Sequence, residues 1–192
     1  MQILPLDPDP APHDVVGVHR VISAATAVDR PGDPLPVLEQ VDGRLRSRPP
    51  GRRLLRWVAR GDGGDIVGYG MLRLPDLDNV HLGLVELTVH PDARRHGAGR
   101  ALARVAVDAI AADGRRLVLM ESYAGTDGEH FCQDLGMRLV QTARMSLLPL
   151  ADVDWADVEG PPPRRTPATG WSAGWTVART SCWRRSRRRR AR

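Results

Sequence analysis

Residues 82 to 110 constrain the fold more than any other part of the chain, because a strand-like run, a glycine loop and a helix follow one another without a break. Leu82-Gly83-Leu84-Val85-Glu86-Leu87-Thr88-Val89 is apolar at both alternating sets of positions, the pattern of a strand covered on two faces, and His90-Pro91-Asp92 ends it. Ala93 to Arg100 then form a polar loop with glycines at 97 and 99. Beyond it Leu102, Val105, Ala106, Ala109 and Ile110 recur at three- and four-residue spacing, which puts them on one helix face with Arg100, Arg104 and Asp108 turned away. The loop therefore sits at a helix N-terminus.

That position carries chemistry. The first turn of a helix exposes unpaired amides and about half a positive charge, and glycines there remove the side chains that would hold a phosphate at a distance. Arg94, Arg95 and Arg100 flank the same amides. A pyrophosphate suits this arrangement.

Arg94-Arg95-His96-Gly97-Ala98-Gly99 resembles the Arg/Gln-x-x-Gly-x-Gly/Ala signature of the GCN5-related N-acetyltransferase (GNAT) family, and Glu86-Leu87-Thr88-Val89-His90-Pro91 before it is typical of the same family. The resemblance implies an α/β fold with a mixed, mostly antiparallel central sheet flanked by helices, in which a β-α-β crossover carries the cofactor loop. It implies transfer of an acetyl group from acetyl-CoA, as cosubstrate, to a primary amine of a small molecule or peptide. The pantetheine arm would pair with the backbone of Leu87 and Val89 beside Thr88, and the pyrophosphate would lie on the amides of Arg95 to Arg100, with Arg94, Arg95, His96, Gly97, Ala98, Gly99 and Arg100 as the cofactor-binding residues.

Glu86 shares its strand face with Leu82, Leu84 and Thr88, so an isolated carboxylate there would be desolvated and its pKa raised, which suits removal of the ammonium proton. The resemblance gives a glutamate at this position that role; the competing reading is that Glu86 pairs with an arginine or simply reaches solvent. The family's tyrosine proton donor, four residues before the glycine of a Leu-Gly-Phe turn, is replaced: the turn reads Leu135-Gly136-Met137 and the position is Cys132. A buried small hydrophobe is the preferred reading of Cys132, with Tyr123 or water as the alternative acid.

Charge divides the chain into two unlike parts. All 28 basic residues are arginine; the ten beyond Gly160 meet no acid, and the first 159 residues hold 18 arginines against 23 acids. The net charge of +5 is thus a property of the tail. Residues 1–150 read as the acetyltransferase-like domain, and 151–192 as a linker and an Arg/Pro/Trp-rich tail without fixed structure. Such composition resembles GC-rich codons read out of frame, and a back-translated stretch from Arg165 to Trp175 is similar to the connecting segment of two-domain actinobacterial members of the family. A nucleic-acid-binding tail is the alternative, since arginine with interleaved tryptophans suits phosphates and stacking. A further alternative is an acyl-CoA-binding module without activity.

No twenty-residue apolar run is present, and Met1 to Pro12 has four prolines and no basic region, so neither a membrane span nor a signal peptide is expected. Two cysteines and six histidines without ligand spacing make neither a disulfide framework nor a metal site, and a cytoplasmic location is expected.

Along the rest of the sequence, Gln2 to Leu6 reads as an edge strand, and Asp14 as the cap of a helix bearing Val15, Val18, Ile22 and Ala25 on one face. A second helix near Pro36 carries Leu38, Val41 and Leu45, and the resemblance implies that the link from Asp29 to Pro36 helps wall the acceptor site. Residues 53–60 and 66–74 form a hairpin around Gly61-Asp62-Gly63-Gly64. Leu117 to Met120 is a short parallel strand, Gly125 to Leu135 a helix, and Arg138 to Leu148 one long strand, with no clear strand after it.

Overall fold

A computed structural model describes residues 1–143, positions 149, 151, 153 and 155, and the backbone of Trp175–Arg179. The elements in order are β1 (Gln2–Pro5), α1 (Pro12–Asp29), α2 (Leu38–Arg46), β2 (Arg52–Arg60), β3 (Ile66–Pro75), β4 (Leu82–Val89), a short 3-10 turn (Pro91–Ala93), α3 (Ala98–Ala112), β5 (Leu117–Met120), α4 (Asp127–Asp134), β6 (Arg138–Gln141) and β7 (Trp175–Arg179).

The strands make one sheet in the order β1-β2-β3-β4-β5-β7-β6. Every pairing is antiparallel except β4 with β5, which the crossover through α3 makes parallel. The mixed, mostly antiparallel sheet expected from the sequence is therefore present. Its two faces are covered by different helices. Val15, Val18 and Val21 of α1 and Val41 and Leu45 of α2 pack on Val58, Tyr69 and Met71. Ala106 and Ile110 of α3 and Cys132 of α4 pack on Leu72, Leu74, Val85, Val118 and Met120.

Burial on both faces explains why β3 carries only one charged side chain, Arg73, in ten residues. The closeness of α3 explains Gly83 in β4. A Cβ there would lie 2.6 Å from Ile110 Cγ1, so any side chain would push the helix off the sheet.

Four expectations need correction. Asp14 does not cap α1: the helix begins at Pro12, whose fixed φ suits the first turn, and the carboxylate of Asp14 pairs instead with Arg60. α2 starts at Leu38, two residues later than the region of Pro36, because the segment before it is extended. The strand after α4 covers only Arg138–Gln141, and 144–148 lie outside the described residues.

The fourth concerns the tail. Trp175–Arg179 forms β7, whose backbone pairs with β5 on one side and β6 on the other. These five residues were expected to lack fixed structure. Their run of Trp, Thr and Val suits a strand, and inserting them satisfies the backbone edge that β5 would otherwise leave open. Trp171, Trp183, Cys182 and the terminal arginines lie outside the described residues.

Candidate functional site

The site begins where two parallel strands part. Pairing between β4 and β5 runs from Leu82 with Leu117 to Val85 with Met120 and stops there, although β4 continues to Val89. From Glu86 onward the edge of β4 that faces β5 has no strand partner among the described residues. A cleft of about 600 Å³ occupies the gap, lined by β4, the glycine loop, the end of α1, and Glu121 to Phe131.

At one end lies the start of α3. Gly97 is the N-cap, with φ of 91°, a left-handed conformation that a side chain would strain, and a Cβ built there meets nothing within 4 Å. The helix's first bond within this turn runs from the amide of Ala101 to the carbonyl of Gly97, so the amides before it have no intrahelical acceptor. Gly99 is more enclosed, because its Cβ would sit 3.4 Å from the ring of Phe131. The open space over Gly97 and the free amides fit a pyrophosphate.

The loop is held by its arginines. Arg94 donates from its two terminal nitrogens to both carboxylate oxygens of Asp29 at 2.8 and 2.7 Å, and more weakly to Asp127 at 3.3 Å. The hydrogen bonds that Arg94 donates to Asp29 raise its pKa further, against its partial burial. Arg95, with φ of 65°, turns outward and donates to Asp127 at 3.1 Å. Burial disfavours charge on Asp127, yet the hydrogen bonds from Arg94 and Arg95 hold its carboxyl below the ordinary range. Arg94 thus ties the loop to the C-terminal end of α1 rather than pointing freely at a phosphate.

Of the residues expected to bind cofactor, Leu87, Thr88, Val89, Arg94, Arg95, Gly97, Gly99 and Arg100 line the cleft. His96 is exposed outside it, and Ala98 is buried beneath the loop.

At the other end is Glu86. It lies opposite Met71 and projects to the face that carries α1 and α2. The carboxylate is not isolated: the guanidinium of Arg44, from α2, makes an ion pair with it. The expectation of a lone carboxylate against an apolar surface is corrected on that point. Beside the pair, Tyr69 is fully buried, and among the described residues its hydroxyl meets no partner of ordinary hydrogen-bond geometry, the Arg56 guanidinium giving only a weak contact. Burial pushes the phenol up to about 12, against the opposing effect of Arg44 and Arg56.

The two candidate acids are placed differently. Tyr123 lines the cleft, half exposed, with its hydroxyl accepting from Arg30 Nη1 at 3.2 Å and the guanidinium 5.0 Å from the ring centre. Cys132 is only 3% exposed and does not line the cleft; burial pushes its thiol up, opposed by a hydrogen bond with Ser122. The structure packs it as a small hydrophobe under α4.

Sequence reading did not find Arg44, Arg73 or Phe131. A cation near a strand carboxylate was foreseeable, but choosing Arg44 needs the docking of α2 on the sheet. Of the link from Asp29 to Pro36, only Asp29 and Arg30 line the cleft. Among the described residues no group of metal-ligating side chains is present, and no helix is long and apolar enough to cross a membrane.

Comparison with known proteins gives the family and the fold. The profile of the acetyltransferase (GNAT) family matches residues 22–137. The chain is 34% identical over 151 residues to a mycothiol acetyltransferase of Streptomyces avermitilis, covering 79% of this chain and 46% of that one. The chain therefore spans about half the length of such relatives. Among solved structures, a tandem GNAT protein from the clavulanic acid biosynthesis pathway superposes with a TM-score of 0.64 at 26% identity, covering 74% of this chain and 45% of that chain. The protein yncA of Salmonella typhimurium, solved with its cofactor acetyl-CoA, superposes with a TM-score of 0.64 at 13% identity over 94% of each chain and shares the fold alone. With the strand, loop and helix of the signature in place and the profile spanning most of the described sheet, the chain belongs to the acetyltransferase (GNAT) family.

Proposed function

We propose that the protein transfers an acetyl group from acetyl-CoA to a primary amine. The observation that carries this reading is the parting of β4 and β5 after Val85 and Met120, which puts a free strand edge, the amides of α3 and Glu86 into one cleft. The bound cosubstrate supplies an activated thioester carbonyl and a thiolate leaving group.

The chain's own residues do the rest. The open edge of β4 from Glu86 to Val89 offers amides and carbonyls to an extended pantetheine arm, as an added strand would use them. The first turn of α3, with Gly97 and Arg100, takes the pyrophosphate. A main-chain amide of β4 near Val89 holds the carbonyl oxygen as negative charge grows on it. Glu86, directly or through water, takes the proton from the ammonium, so that the amine nitrogen can attack the carbonyl carbon. The nitrogen gives up its second proton to water and the carbon–sulfur bond breaks as the new amide forms, while the thiolate leaves with a proton from Tyr123 or water.

The mycothiol acetyltransferase relatives support an amine acceptor of small size. The test is release of free CoA, read with a thiol reagent, over a panel of amines. Release that requires both acetyl-CoA and an amine is the expected result. Binding of acetyl-CoA without release for any amine would make the chain a binding module instead.

A further inference from the structure

Among the described residues six arginines line the cleft, and four of them are engaged. Arg30 pairs with Asp33, Arg44 with Glu86, Arg94 with Asp29 and Asp127, and Arg95 with Asp127. Among the described residues the side chains of Arg73 and Arg100 make no ion pair or hydrogen bond. Arg100 stands in the first turn of α3, where the pyrophosphate would lie. Arg73 stands at the opposite end.

Its position is fixed by the sheet. Arg73 is directly across from Leu84, which in turn is across from Leu119 of β5, so the three side chains form a row over three strands. Glu86 is two residues further along β4 on the same face, a diagonal neighbour at about 7–8 Å between backbones. Val89, where β4 meets the cofactor loop, is five residues from Leu84, roughly 17 Å along the strand. A guanidinium so placed is out of reach of the pyrophosphate and beside the group that meets the amine.

We propose that Arg73 binds an anionic group of the acceptor, so that the substrate is an amine that also carries a carboxylate or a phosphate. This inference rests on the acyl-transfer reading of the cleft. Arg73 is half-buried beside Leu84 and Leu119, and a cation taken partly out of water beside apolar side chains is stabilised by a counter-ion that the described chain does not provide. With the ammonium at Glu86 and the anion at Arg73, the acceptor is held at two points a few bonds apart, which fixes its nitrogen towards the carbonyl.

The experiment compares matched pairs of amines in the CoA-release assay: β-alanine against its carboxamide, and phosphoethanolamine against ethanolamine. The anionic member of at least one pair is expected to have a kcat/KM tenfold or more above its neutral twin, and the pair that shows it tells carboxylate from phosphate. In Arg73→Gln that ratio should collapse towards one, and in Arg73→Lys it should be partly restored, with cooperative thermal unfolding confirming that both variants fold. Equal use of both members by the unaltered protein, or a ratio that Arg73→Gln leaves unchanged, overturns the inference while leaving acyl transfer intact. Acetyl-CoA binding with no turnover of any amine overturns both.

Discussion

The guanidinium of Arg94 grips the carboxylate of Asp29 with two hydrogen bonds of 2.8 and 2.7 Å, joining the last residue of α1 to the loop that opens α3. The signature arginine is therefore a fastening between two elements 65 residues apart in sequence. Arg94→Ala removes a charge-assisted pair that is largely out of solvent and leaves Asp29 without its partner. A loss of roughly 1–3 kcal/mol in unfolding free energy is expected, with weaker acetyl-CoA binding because the loop is no longer fixed. Denaturant unfolding and titration calorimetry check this. Unchanged cofactor affinity in a destabilised variant would separate the fastening from the site.

The two loop glycines should fail in different ways. Gly97→Ala forces a side chain into the left-handed region but meets open space, so the expected loss is about 1–2 kcal/mol of stability from backbone strain. Gly99→Val presses on Phe131, from which even a Cβ is only 3.4 Å away, and about 1–3 kcal/mol of overpacking is expected together with loss of acetyl-CoA binding. Thermal unfolding of the two variants, followed by calorimetry with acetyl-CoA, distinguishes them.

Glu86 gives a pH signature. If it takes the ammonium proton, Glu86→Gln should reduce turnover most near neutral pH and recover part of it as the amine loses its own proton at higher pH. A pH–rate profile of CoA release checks this. An equal loss at every pH would assign Glu86 to positioning through its pair with Arg44.

Tyr69 makes a prediction about stability. Burial raises its phenol to about 12, so the folded state holds this proton more tightly than the unfolded chain does. The contribution is fully present below pH 10 and is lost as pH rises from there to 12, by roughly 2–3 kcal/mol across the window. Tyr69→Phe should flatten that part of the stability curve. Because the hydroxyl makes no well-formed hydrogen bond among the described residues, the variant should stay close to the parent in stability at neutral pH. Chemical denaturation at stepped pH measures both effects.

The strand-loop-helix at the centre was legible because each part carries a local signal: two-sided apolarity in β4, glycines at the turn, and a helical period in α3. The hairpin of β2 and β3 was legible for the same reason. What lay hidden depends on contacts distant in sequence. Glu86 and Arg44 meet only because α2 docks on the sheet, and nothing in the spacing of 42 residues reports it. Asp29 looked like the start of an acceptor wall, whereas its partner is the signature arginine. β7 was missed because its five residues stand among arginines and prolines, where no alternation extends far enough to mark a strand. Cys132 occupies the position expected of a proton donor, but burial away from the cleft decides against that use.

The most direct measurement is calorimetric titration of acetyl-CoA into the full chain, beside the Gly99→Val variant checked for cooperative unfolding. One-to-one binding by the parent protein and no measurable binding by the variant is the expected result, because the phosphates need the amides at the start of α3. No binding by the parent, or equal affinity in a folded variant, would contradict the assignment of this cleft to acetyl-CoA.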